Sequence, residues 1–140
     1  MKLLQEIPTF KNIDVAFERK PFSIDRLNTQ CITVFYFWSK ECSLCKGVHP
    51  FFYKMVERYN KNVQIVVIHD GDVALNELPN MPSDVVMLID RKRELGNLFN
   101  VNYFPALYVF DENRLLRFKQ QGSNQMQIVF NRIDRLVKKL

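Results

Sequence analysis

Apolar positions along this chain follow two periods. Residues 31–38, Cys31-Ile32-Thr33-Val34-Phe35-Tyr36-Phe37-Trp38, are apolar almost without a break, as in a strand buried on both faces. Residues 63–68 form a second such run, rich in β-branched side chains, and suit a central parallel strand. Residues 85–89 predict a third strand. Two more, 106–110 and 115–119, are joined by Asp111-Glu112-Asn113-Arg114, a loop of hairpin length. A short strand is expected at 15–17, turning at Lys20-Pro21.

Between these runs the period becomes helical. Leu44, Val48, Phe51, Phe52, Met55, Val56 and Tyr59 share one helix face. Pro50 interrupts that helix and should kink it, because proline has no N–H to give the ladder. Asn60-Lys61-Asn62 ends it. Residues 91–100 read as a helix with Leu95, Leu98 and Phe99 inward. After the break at Gly122, Met126, Val129, Phe130, Ile133, Leu136, Val137 and Leu140 line a last helix, with Asn124 and Gln127 spaced as a capping box. Ser23 is placed to cap a brief helix ending near Leu27. Residues 1–12 read as an irregular arm in which Ile7, Pro8 and Phe10 pack down. Residues 70–84, with Gly71, Pro79 and Pro82, read as a loop holding one short helix.

Strands alternating with helices, closed by a hairpin and a helix, predict an α/β fold. A central mixed sheet is flanked by helices, with a strand and short helix added at the N-terminal side. No linker or repeat divides the chain, so residues 1–140 are expected to form a single domain. With 47% hydrophobic residues and only 4 Gly in 140 positions, a packed core is expected rather than disorder.

Net charge is +5, from 20 basic and 15 acidic residues. The densest basic stretches, Arg91-Lys92-Arg93 and Lys138-Lys139, do not interleave with aromatics as RNA-binding sheets do. They read as solvated helix faces, and no nucleic-acid partner is expected. No stretch approaches the length of apolar residues that crosses a bilayer, so no membrane span is expected. Met1-Lys2-Leu3-Leu4 is too short for a signal-peptide core, and Glu6 and Pro8 interrupt it. The expected compartment is the cytoplasm.

The three cysteines carry the chemistry. Cys31 opens an apolar run and is expected to be a buried thiol. Cys42 and Cys45 stand two residues apart where the strand ending at Trp38 gives way to a helix. The first sulfur of such a pair sits near a helix N-terminus, where backbone N–H groups favour its anionic form. A thiolate that attacks a disulfide, beside a second thiol that completes the exchange, is a redox centre. The competing reading is half of a zinc site. Zinc takes about four ligands, and only Cys31, His49 and His69 remain to supply them, with no second C-x-x-C. No metal and no separate cofactor are therefore expected beyond the redox-active disulfide Cys42–Cys45. His49, one turn past Cys45, and His69, at a strand end, read first as structural residues.

Two separated segments carry a family resemblance. Phe37-Trp38-Ser39-Lys40-Glu41-Cys42-Ser43-Leu44-Cys45-Lys46 resembles the active-site stretch of thioredoxin-fold oxidoreductases. Tyr103-Phe104-Pro105-Ala106, followed by Leu107-Tyr108-Val109-Phe110, resembles their cis-proline loop and next strand. The opening Ile7-Pro8-x-Phe10 is similar to the TlpA/ResA-like branch, and within it to cytosolic, signal-less bacillus-type members. The resemblance implies that Cys42 is the exposed nucleophile and Cys45 the resolving thiol. It implies that Trp38 packs beside the disulfide and that Pro105 is cis and faces the cysteines. The backbone of Phe104 would pair with an extended substrate, and Ser43 and Leu44 would lie on the substrate face.

The chain departs from that pattern in three places. Ser43-Leu44 replaces the Gly-Pro of thioredoxin. Glu41 stands where a tryptophan is common, and its carboxylate should oppose thiolate formation slightly. Tyr36 occupies the place of the buried acid of thioredoxins, so the proton acceptor for Cys45 is expected to be Asp72, with Asp70 as second choice.

The implied activity is a protein disulfide reductase acting by thiol–disulfide exchange on a protein disulfide or dithiol, served by an upstream electron donor or acceptor, and working as a monomer. The alternatives are a redox-sensing or partner-binding module with little turnover, and an extracytoplasmic exchange protein.

Overall fold

A computed structural model describes all 140 residues. Its strands are β1 (Asp14–Val15), β2 (Ile32–Trp38), β3 (Val63–Asp70), β4 (Val86–Asp90), β5 (Ala106–Phe110) and β6 (Leu116–Gln121). Its helices are α1 (Ser43–Val48), α2 (Phe51–Tyr59), α3 (Glu94–Leu98) and α4 (Met126–Val137). The strands form one sheet in the order β1-β4-β3-β2-β5-β6. Pairing is parallel among β2, β3 and β4 and antiparallel elsewhere. The fold is thioredoxin-like α/β.

All seven residues of β2 are buried, because side chains alternate between two covered faces. Val34, Tyr36 and Trp38 join α1, α2 and α4 in one core layer. Phe35 and Phe37 join α3 and the N-terminal arm in the other, with Ile7, Phe10 and Phe22 beneath them. Phe99 anchors this second layer, its ring 4.9 Å from Phe35 and 5.2 Å from both Phe37 and Tyr108.

Register decides what meets at one end of the sheet. Trp38 is opposite His69 on β3, and Phe37 is opposite Ala106 on β5. The residues that follow β2 therefore lie beside the end of β3 and beside Pro105, which precedes β5.

Several expectations are corrected. β1 is only two residues long. Ala16 still donates to the Met87 carbonyl at 2.9 Å, but Phe17 has a left-handed φ of 66° and turns out to solvent. The helix expected over 91–100 shrinks to α3, because Arg93 is left-handed and the buried Asp90 carboxylate accepts from the Leu95 and Gly96 N–H groups at 3.2 and 2.9 Å. Those acceptors fix where the helix starts. Leu98 consequently faces solvent, while Leu95 and Phe99 are buried.

The capping box at Asn124 does not form. α4 starts after Gln125, whose N–H goes to the Ser123 hydroxyl, and the Gln127 side chain reaches forward to Asn131 instead. Leu140 is exposed. Ser23 precedes a single 3-10 turn, Ile24–Arg26, yet its hydroxyl accepts from Asn12 rather than capping it. Cys31 is half-buried rather than enclosed, its Sγ 3.4 Å from the Lys61 carbonyl.

Candidate active site

The site begins where β2 ends. The Cys42 N–H donates to the Ser39 carbonyl at 2.9 Å, closing a turn that presents Cys42 as the residue before α1. The Cys45 N–H then donates to the Cys42 Sγ at 3.2 Å, so the sulfur itself satisfies one of the free donors of the first helical turn. The two cysteines are joined in a disulfide, with Cα atoms 5.4 Å apart, inside the range that such a bond spans. Cys45 is wholly buried and Cys42 is half-buried. One sulfur is thus open to a partner and the other is reached only through it.

The helix past the pair is broken at His49 and Pro50. His49 and Pro50 keep helical dihedral angles, and α2 resumes at Phe51. Pro50 offers no N–H to the preceding turn, which separates α1 from α2.

Trp38 is 4% exposed and sits between two imidazoles, both edge-on: His69 at 4.6 Å and His49 at 5.0 Å between ring centres. His69 is also nearly fully buried. Its Nδ1 lies 2.9 Å from the Gly71 carbonyl, and its Nε2 accepts the Lys40 N–H at 3.1 Å. Both contacts hold together when Nδ1 carries the proton. His69 therefore ties the Ser39–Glu41 loop to the end of β3, a role no sequence pattern discloses because it needs the register of two strands.

Tyr36 donates its hydroxyl to the Cys45 carbonyl at 3.2 Å. Burial holds its phenol well above the usual pKa, so it remains a donor. His49 lies against both Tyr36 and Trp38. Burial pushes its pKa down to about 4, and its buried Nε2 makes no hydrogen bond.

Two concavities flank Cys42. One, of about 410 Å³, runs between Glu41, Ser43 and Leu44 on one side and Tyr103 and Phe104 on the other. The Phe104–Pro105 peptide is cis and Pro105 is buried. Phe104 is half-buried, while Leu44 and Tyr103 are 45% and 69% exposed. Helical spacing groups Leu44 with the buried Val48, whereas the family resemblance puts it on the substrate face; it stands on the groove. Tyr103 opens the segment that resembles the cis-proline loop, and the structure adds it to the groove wall beside Phe104. The second cavity, of about 320 Å³, is lined by Trp38, Lys40, Cys42, Lys46, His49 and Glu77 among others. Lys40 and Glu77 pair across it at 3.5 Å.

Asp72 does not join the site. β3 runs on to Asp70, the Gly71 N–H pairs with the Asp90 carbonyl, and Gly71 turns at φ 80°. The chain leaves toward the β1–β4 edge, where Asp72 is 77% exposed and pairs with Arg91. Asp70, the second choice, is held by Arg93 at 2.6 Å beside α3. Neither is the carboxylate beside Cys45 that was expected.

No three His, Cys, Asp or Glu side chains converge where an ion could sit. A bonded C-x-x-C at a strand-to-helix turn, one sulfur open and the other sealed, defines the redox centre of a thiol–disulfide oxidoreductase. The chain belongs to the thioredoxin-like family, whose family model matches residues 30–116. It is similar to the thiol-disulfide oxidoreductase YkuV of Bacillus subtilis (strain 168), 26% identical over 145 residues that cover 98% of this chain and 97% of that one. Among solved structures, a Chlorobium tepidum protein assigned provisionally as the thiol:disulfide interchange protein DsbE superposes with a TM-score of 0.83. It is 17% identical and covers 98% of this chain and 99% of that one. The solution structure of a thioredoxin-like protein in its oxidised form gives a TM-score of 0.80 at 24% identity, covering 99% of each chain. At these identities the structures establish the fold alone.

Proposed function

We propose that this protein reduces protein disulfides, with Cys42 as nucleophile and Cys45 as resolving thiol. The observation that carries this reading is the asymmetry of the bonded pair: Cys42 opens on a groove and Cys45 is sealed beneath it. In the dithiol form, the Cys42 thiolate attacks one sulfur of a substrate disulfide. The substrate's bond breaks, its other sulfur leaves as a thiolate, and a mixed disulfide forms. Cys45 then loses its proton and attacks the Cys42 sulfur. The second substrate sulfur leaves, and the Cys42–Cys45 bond is restored. The substrate gains two electrons and the enzyme loses two. An upstream dithiol donor must return them.

The groove supports an extended substrate. Phe104 and Tyr103 form one wall, and the free backbone beside cis-Pro105 suits strand-like pairing with a peptide. Leu44 and Ser43 form the opposite wall. Trp38 is buried in the same core cluster as Cys45, with Cys42 packed against it. The name carried by the Bacillus relative agrees with this chemistry. The reading assigns the protein to the cytoplasm, where dithiols are kept reduced, and to a monomeric state; fractionation of the native host and sedimentation check these two points.

Insulin reduction by dithiothreitol is the direct test. Wild type should accelerate turbidity and Cys42→Ser should not; equal rates would remove the proposal. A reduction potential of about −270 mV, the thioredoxin range, supports a reductase, and one of about −120 mV an oxidase.

One observation favours a second reading, a redox sensor with slow turnover: Glu41 stands next to Cys42 without a cationic partner, and its charge opposes the thiolate. Trapping with Cys45→Ser separates the two, since an enzyme accumulates several mixed-disulfide partners and a sensor one or none.

A further inference from the structure

The resolving step needs a group to take the proton of a fully buried thiol, and the carboxylate expected for it is absent from the site. Tyr36 is a donor to the Cys45 carbonyl and cannot serve. Glu77 lies at the outer rim, exposed, with its carboxylate shared between Lys40 at 3.5 Å and the Ala74 N–H at 3.1 Å. We propose that His49 takes the Cys45 proton as that thiol attacks the mixed disulfide. The assignment rests on the proposed order of attack, Cys42 first and Cys45 second.

Three observations carry it. His49 follows Cys45 by one helical turn, and its N–H donates to the Cys45 carbonyl at 3.3 Å. A helical side chain leans back over the preceding turn, so the imidazole is directed toward Cys45. The ring is wedged between Tyr36 at 5.6 Å and Trp38 at 5.0 Å, which fixes it on the side of the cysteine pair. Its Nε2 is buried and unpartnered, and the residue lines the cavity that Cys42 lines. A buried polar atom left without a hydrogen bond is costly, and such atoms are retained where they have work to do.

The protonation state fits. Burial pushes the imidazole to about 4, so the ring is neutral at pH 7 and its free nitrogen can accept. It is low because burial strips solvent from the charged ring. A Cys45 thiolate forming one turn away supplies an anion and raises the basicity of the ring as the proton crosses. The other ionisable groups around the cavity are Lys40, Glu77, Lys46 and the Tyr36 phenol. Lys40 and Glu77 offset each other. The step balances: the Cys45 S–H bond breaks, the imidazole becomes an imidazolium, and the S–S bond to Cys42 forms. The departing substrate thiolate then takes that proton, directly or through solvent.

The test uses the reduced protein carrying Cys31→Ser, which removes the half-buried third thiol, and 5,5′-dithiobis(2-nitrobenzoic acid) in a stopped-flow instrument. Attack by Cys42 releases one coloured thiolate, and resolution by Cys45 releases a second. At about pH 7, His49→Gln should leave the first phase within about twofold and slow the second by about a hundredfold or more, the lower reach of general-base catalysis. The deficit should narrow as pH rises, because hydroxide increasingly takes the Cys45 proton without the imidazole. His49→Asn, with the thermal midpoint of each variant measured alongside, keeps the test open if one substitution unfolds the chain. A second phase equal to wild type, or a deficit that stays constant across pH, would overturn the assignment. A wild type lacking the first phase would instead overturn the reading beneath it.

Discussion

The Lys40 N–H donates to His69 Nε2 at 3.1 Å, fastening the loop before Cys42 to the end of β3. His69 is satisfied on both ring nitrogens and packs edge-on against Trp38. Replacing it with alanine leaves the Lys40 donor and the Gly71 acceptor without partners and removes the support beside the indole. His69→Ala should lose about 1–3 kcal/mol of stability in urea unfolding, and the Lys40 amide should exchange faster with solvent. Unchanged exchange at Lys40 would show that the bond does not hold the loop.

Asp72 gives the opposite expectation. Its carboxylate is exposed and bound to Arg91, which also holds Asp14 at 2.7 Å. An exposed pair of this kind contributes about 1 kcal/mol or less. Asp72→Asn should retain wild-type insulin reduction across neutral pH. A large loss of turnover would mean that the 70–84 loop closes over the cysteines during the reaction.

Asp90 bears on the fold rather than the chemistry. It is 1% exposed, and both oxygens accept N–H donors at the start of α3. Burial raises its pKa, and the Gly96 and Leu95 N–H groups work against that rise. Asp90→Ala strands both donors and should cost about 1–3 kcal/mol, while Asp90→Asn, which keeps one acceptor, should cost less. Denaturant midpoints of the two variants check the order.

His49 sets a slope of stability with pH. Its folded pKa of about 4 lies below the ordinary histidine value of 6.5, so the unfolded chain binds that proton more readily. The neutral ring's contribution is fully present above about pH 6.5. It is lost as pH falls through about 4. Wild type should therefore lose stability more steeply than His49→Gln between these two values. Parallel curves for the two proteins would contradict the buried, neutral ring.

Much of this was readable along the chain. The unbroken run of β2, the β-branched run of β3, the helical spacing from Val48 to Tyr59 and the Cys42–Cys45 spacing each draw on neighbours a few residues away, where periodicity and propensity are decided. The errors arose where a distant residue intervened. Asp90 acted through its burial at the end of β4, setting the start of α3 and turning Leu98 to solvent. Arg91, nineteen residues beyond Asp72, drew that carboxylate to the wrong edge of the sheet for catalysis.

By itself, then, the amino-acid order determined which segments alternate between strand and helix, where the proline breaks the helix, and which two sulfurs can bond. Only the tertiary structure decided what surrounds those sulfurs. Parallel register set His69 opposite Trp38, and the turn of α1 left Leu44 outside while Cys45 went in. The reason is physical: hydrogen-bonding periodicity is local and leaves its mark on successive residues, whereas burial and electrostatics at a site depend on partners brought together from β2, β3, β5 and the helix that follows Cys42.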